Sequence, residues 1–134
     1  MRTHPTQTAY LIAKGRLDTA VKAKTVHDRF FDAAYDAVSD DGEFNPSHFE
    51  DFYQKWQVEN PDKAAERDRL GALEREAKDA LRRAEDAMLA WALPLVMAAA
   101  KTVDERSVVV EASTTRNHAV RQKMLAAMSQ LNQW

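Results

Sequence analysis

The sequence predicts an all-α fold: a helical bundle of about four to five helices built around two long antiparallel helices. Three observations carry this expectation. Only three glycines occur in 134 residues, whereas hairpins and bulges use glycine freely. Apolar residues recur at alternating three- and four-residue steps along most of the chain, the period of one helix face. Pro46 and Pro61 each follow an asparagine, the pairing of an N-cap with a first helical residue whose missing N–H costs nothing there. The length suits one domain, residues 1–134, with a real core. No internal repeat or low-complexity segment interrupts it.

The first helix is expected from about Thr6 to Val38. Leu17, Ala20, His27, Phe31, Ala34 and Val38 share a face that Val21, Phe30 and Tyr35 broaden, and Gly15 is a candidate irregularity. The segment "SDDGEFNPSHF" ends that helix and starts the next, with Gly42 in a polar loop and Asn45 as cap. Phe44 is placed to pack on Phe49 as a hydrophobic staple. Phe49, Phe52, Tyr53 and Trp56 then form a dense aromatic face on a helix of about three turns.

Asn60 and Pro61 open the third helix, expected to reach Lys101. Leu70, Leu73, Ala77, Ala80, Ala84, Ala87 and Trp91 follow a heptad seam over three heptads. The uncharged run "MLAWALPLVMAAA" (Met88 to Ala100) continues it, apolar on nearly every side and therefore expected to be surrounded by protein. It is too short for a bilayer, which needs roughly 20 apolar residues. Pro94 predicts a kink or a restart at Ala92–Pro94. Residues 102–113 contain three successive valines, yet no strand partner is in view, and Thr102 with Glu105 fits a capping box, so a short helix is expected. A last helix runs from about Arg116 to Asn132, capped by Thr114 or Thr115, with Val120, Met124, Ala127, Met128 and Leu131 on its buried face.

No cysteine is present, which excludes disulfides, thiolate metal sites and thiol catalysis and suits a cytoplasmic location. The N-terminus lacks the apolar run and cleavage site of a secretory signal. The four histidines fall in no Glu-x-x-His or His-x-x-x-His pattern, and His27 reads as a core-edge residue with one hydrogen bond. "DDGEF" lacks the first aspartate and the final glutamate of a calcium loop. No nucleophile elbow, phosphate loop or dinucleotide fingerprint occurs. The expectation is no enzyme, no metal and no cofactor.

Charge is the informative feature. The net charge of −2 discourages a nucleic-acid assignment by itself, but the distribution is polarised. Residues 1–29 balance at +4, residues 30–68 at −8, and Ser113 to Trp134 hold Arg116, Arg121 and Lys123 without an acid. Such polarity steers association or orients subunits head to tail. Lys22, Lys24, Arg29, Arg116, Arg121 and Lys123 are the candidate contacts to nucleic-acid backbone or to a partner.

A short, cysteine-free, all-helical chain with basic ends resembles the helical small subunits of CRISPR effector complexes. The resemblance implies several copies lining a guide–target backbone, contacting it and one another without catalysis. The expected function is thus a non-catalytic helical subunit of a larger, multi-copy or hetero-oligomeric assembly. Its partners would be other protein subunits and RNA or DNA backbone, with no membrane. The alternative is a stand-alone protein-binding or inhibitor protein of the phage or plasmid accessory type, acting through the aromatic helix. Burial of Phe52 and Trp56 discriminates between the two.

Overall fold

The computed structural model describes residues 3–38 and 46–131. Among them are five α-helices and no strand: α1 (Pro5–Val38), α2 (Pro46–Glu59), α3 (Pro61–Ala99), α4 (Val103–Thr114) and α5 (His118–Ser129). The Gly42 loop, the Asn45 cap and the Phe44 staple lie outside the described residues, as does the expected helix end at Asn132. The long helices α1 and α3 pack together. They run antiparallel, since Lys24 meets Glu74 while Asp28 meets Arg67. The chain forms two compact units, Met1–Arg16 with Lys78–Trp134 and Leu17–Ala77, and both long helices contribute to each.

In the second unit, Phe31 is 3% exposed and gathers the aromatic face of α2 around itself. Its ring lies 5.1 Å from Trp56, 5.5 Å from Phe49 and 5.6 Å from both Phe52 and Tyr53. Steep interplanar angles dominate, as the ring quadrupole favours. Arg67 closes the nest, its guanidinium 5.0 Å from the Phe31 ring and 4.9 Å from that of Tyr53, and it reaches Asp28 at 3.5 Å. The charge sits against ring faces with a carboxylate alongside, which offsets its partial burial.

His27 behaves as its position predicts, half-buried with its Nε2 2.9 Å from the Lys63 carbonyl. Asn60 stands at the α2–α3 junction, and its carbonyl accepts from Ala64 N–H as that of a cap residue should. Its side chain differs from expectation. The amide Nδ2 donates to the Trp56 carbonyl at 3.1 Å, closing the end of α2 rather than capping α3.

In the first unit, Tyr10, Met88, Ala92, Leu125 and Met128 form the core, with Leu81, Ala84, Trp91, Val96 and Met124 packed around it. Met88 and Leu125 are fully buried, and truncating either to alanine costs about 2–5 kcal/mol. The core-facing positions of α3 here are Leu81, Ala84, Met88, Ala92 and Val96. Of the expected seam, Leu70 is buried and Ala84 and Trp91 pack on the core, but Ala87 is exposed, Ala80 half-exposed and Leu73, in the other unit, 42% exposed. A 3.5-residue repeat drifts about 20° per heptad against a helix of 3.6 residues per turn. Three heptads thus displace the stripe by more than half a residue.

The apolar run is left uncovered mainly along one side, for Leu89, Trp91, Leu93, Leu95, Val96 and Met97 are half-buried and Ala100 is buried. Met88 and Ala92 are buried, whereas Ala90, Pro94, Ala98 and Ala99 are exposed. The helix continues to Ala99 without a restart at Pro94. Pro94 and Ala90 are both exposed, and a carbonyl left unpaired by the missing N–H costs less on an exposed side than in a core.

The capping box of α4 forms as the sequence indicates: Glu105 N–H donates to Thr102 Oγ1 at 3.1 Å, and Thr102 N–H to Glu105 Oε2 at 3.2 Å. The start of α5 differs. Asn117, not Thr114 or Thr115, is the N-cap, accepting from Ala119 and Val120 N–H. Thr115 instead ends α4 and accepts from Asn117 N–H. The buried face of α5 is also rotated. Met128 is buried and Met124 and Leu131 pack on the core as expected, while Val120 and Ala127 are exposed and Leu125, on the same side as the inward-turned Arg121, is fully buried.

Candidate docking surface

The basic residues singled out in the sequence separate into two kinds. Lys24 and Arg121 are engaged inside the fold. Lys24 Nζ lies 3.4 Å from Glu74 Oε2. Arg121 Nη2 donates to Glu85 Oε2 at 3.1 Å and lies 3.8 Å from Asp86. Glu85 is 8% exposed, so its charge requires that partner. The same carboxylate, after burial itself, raises the pKa of the buried Tyr10 hydroxyl above the usual phenol range.

Lys22, Arg29, Arg116 and Lys123 are exposed, and among the described residues none of them forms an ion pair. Arg116 lies in the α4–α5 connection and Lys123 on α5, both in the first unit. Lys22 and Arg29 lie on α1 in the second unit. The two basic groups therefore belong to different units.

Around Lys22 and Arg29 the outward side of α1 has a consistent chemistry. Thr19, Lys22, Val26, Arg29, Phe30, Ala33 and Ala37 fall within a sector of roughly 100° on the helix, and no acid enters it. Asp18, Asp32 and Asp36 border it. Val26 and Phe30 are each 56% exposed. One exposed apolar residue on a surface is ordinary, but two on adjacent turns flanked by cations make a small amphipathic stripe. Phe30 also borders a groove of about 600 Å³ whose floor includes Ala34, Phe52 and Trp56 and whose rim mixes Asp51, Lys55, Glu59 and Lys63. Lys63 Nζ lies over the Phe30 ring at 5.3 Å.

The aromatic face of α2 points inward. Trp56 is 6% exposed and Phe52 half-buried against Phe31. By the burial test, this face is core. Among the described Phe, Tyr and Trp side chains of the second unit, the exposed one is Phe30 on α1, a position expected to broaden the buried face. Its two-residue offset from Asp28, which turns in to Arg67, is what turns Phe30 outward.

Glu66 and Arg69 pair on the surface of α3, with Arg69 Nε donating at 2.8 Å, and this bond holds the Glu66 carboxyl below its usual range. Among the described residues no three acidic or histidine side chains gather as metal ligands. No described helix is long and apolar enough to cross a membrane. Comparison with protein-family models, with curated proteins and with solved structures gives no match.

Proposed function

We propose that the chain is a non-catalytic helical subunit of a larger nucleoprotein assembly, of the kind represented by the small subunits of CRISPR effector complexes. The observation that carries the reading is the acid-free stripe of α1, where Lys22 and Arg29 flank exposed Val26 and Phe30. Its apolar part seats against a neighbouring subunit, which removes surface that water otherwise covers unfavourably. Lys22, Arg29, Arg116 and Lys123 contact phosphates, since among the described residues none of them has an internal ion-pair partner. Lys24 and Arg121 serve the fold instead.

The test is the salt dependence of binding to a single-stranded RNA of mixed sequence, followed by fluorescence anisotropy. Each phosphate contact contributes about 0.7 to the slope of log K against log salt for a single strand. The double variant Arg116→Glu/Lys123→Glu should lower the slope by about 1.4 or more without loss of fold, whereas Arg121→Glu sets two carboxylates against each other beside Tyr10 and should lower the Tm. An affinity and slope unchanged in both Arg116→Glu/Lys123→Glu and Lys22→Glu/Arg29→Glu would remove nucleic-acid contact from the reading.

A further inference from the structure

Val103, Ser107, Val110 and Thr114 of α4 follow one another at steps of four, three and four residues, which puts them within about 60° on the helix. All four are exposed, Val103 at 78% and Val110 at 48%. This seam lies opposite the side on which Val109 and Ala112 are half-buried. Arg106 flanks the seam on one edge and Glu111 on the other, in the same surface patch as Val103, Ser107 and Val110. Neither charge has a counterpart along its own helix. The positions three and four away from each, in both directions, hold only valine, serine or threonine. Among the described residues neither forms an ion pair.

We infer that this face of α4 is an interface with a second copy of the chain, in which two α4 helices pair in parallel and in register. Charge sets both the occupant and its direction. The seam has coiled-coil spacing, which gives Arg106 a g position and Glu111 the following e position, and in a parallel pair g of one helix lies beside e of the other. Two-fold symmetry makes this contact twice, Arg106 of each copy with Glu111 of the other. The antiparallel arrangement instead sets Glu111 against Asp104 of the second copy, acid against acid, again twice, and leaves Arg106 opposite Ser113. One helix of 12 residues thus carries both halves of the complementarity, and the seam valines lose contact with water when it closes. Such a helix is about 18 Å long, and one pair covers less than the roughly 800 Å² per partner of a standard interface. The association is therefore weak and concentration-dependent in free solution, and it needs no nucleic acid.

The chain has no cysteine, so single cysteines report the contact directly. Val103→Cys, Ser107→Cys and Thr114→Cys, each in the full chain under mild oxidant and without RNA, should give a disulfide-linked dimer, because in-register seam positions come within disulfide reach. Ala65→Cys, exposed on α3 in the other unit, sets the rate of chance collision and should stay monomeric over the same time. An antiparallel pair would leave Val103→Cys and Thr114→Cys each unlinked alone and join them only when mixed. In the Ser107→Cys background, Arg106→Glu or Glu111→Arg alone should abolish the dimer, and the two reversals together should restore it. Circular dichroism confirms that each variant compared is folded, and three seam positions keep the test open if one is not. Seam cysteines that link no faster than Ala65→Cys, that link only Val103→Cys to Thr114→Cys, or whose dimer ignores the single reversals or is not restored by the double one would overturn the assignment.

Discussion

Gln7 is 1% exposed, a polar side chain buried beside the apolar core of the first unit. Its Nε2 donates to the carbonyls of Met128 and Leu131, each at 2.9 Å, and its Oε1 accepts from His4 N–H at 2.7 Å. One amide thus closes the start of α1 and the end of α5, satisfying carbonyls that a helix end leaves open. Nothing in the sequence around Gln7 announces this, because its partners lie more than a hundred positions away. Gln7→Ala should cost about 1–3 kcal/mol, the penalty for leaving buried carbonyls unpaired, measured by urea unfolding. Tyr10, its neighbour in the core, has a raised pKa. A raised folded-state value means stability is fully present below the unfolded phenol pKa of about 10 and is lost as pH rises through the higher folded value. Thermal stability should therefore fall more steeply above pH 10 in the native chain than in Tyr10→Phe. The charged residues follow the same lesson: type and spacing marked Lys24 and Lys22 alike, and only the acid opposite Lys24 separates them.

At the scale of the elements, the helices were legible and their rotations were not. Proline after asparagine marked the starts of α2 and α3, and the capping box Thr102–Glu105 decided α4 against a strand despite its valines. The inward faces of α3 and α5 were displaced for identifiable reasons. An alanine-rich helix offers several faces of nearly equal apolarity, so a heptad fits as well as the 3.6-residue stripe that the helix adopts. In α5 the ion pair of Arg121 with Glu85 draws a basic position inward and brings Leu125 with it. The irregularity considered at Gly15 is absent, and α1 is continuous through it. A Cβ built there meets nothing within 4 Å. Gly15→Ala should consequently stabilise the protein by about 0.5–1 kcal/mol, the propensity difference alone, seen as a rise in the urea midpoint with an unchanged m-value.

Across the whole molecule, the charge polarity read from the sequence acquires a partial structural meaning. Within the strongly acidic stretch 30–68, Glu66 pairs with Arg69 and Glu59 with Lys55, and Asp28, just before it, meets Arg67. Of the six basic residues singled out at the two ends, Lys22, Arg29, Arg116 and Lys123 stay exposed. The stripe of α1 adds exposed Val26 and Phe30 to the first pair, and that combination is what a chain in an assembly would present to a neighbour. The candidate docking surface was only half legible: the cations could be read, but Phe30 could not, because its outward turn depends on Asp28 facing Arg67. The most direct test is affinity purification of the tagged protein from its native host, with and without nuclease, beside the variant Val26→Ser/Phe30→Ser. The account predicts protein partners that remain after nuclease with the native chain and are lost with the folded variant. A native chain that elutes alone as a monomer, or a variant that keeps every partner, would contradict it.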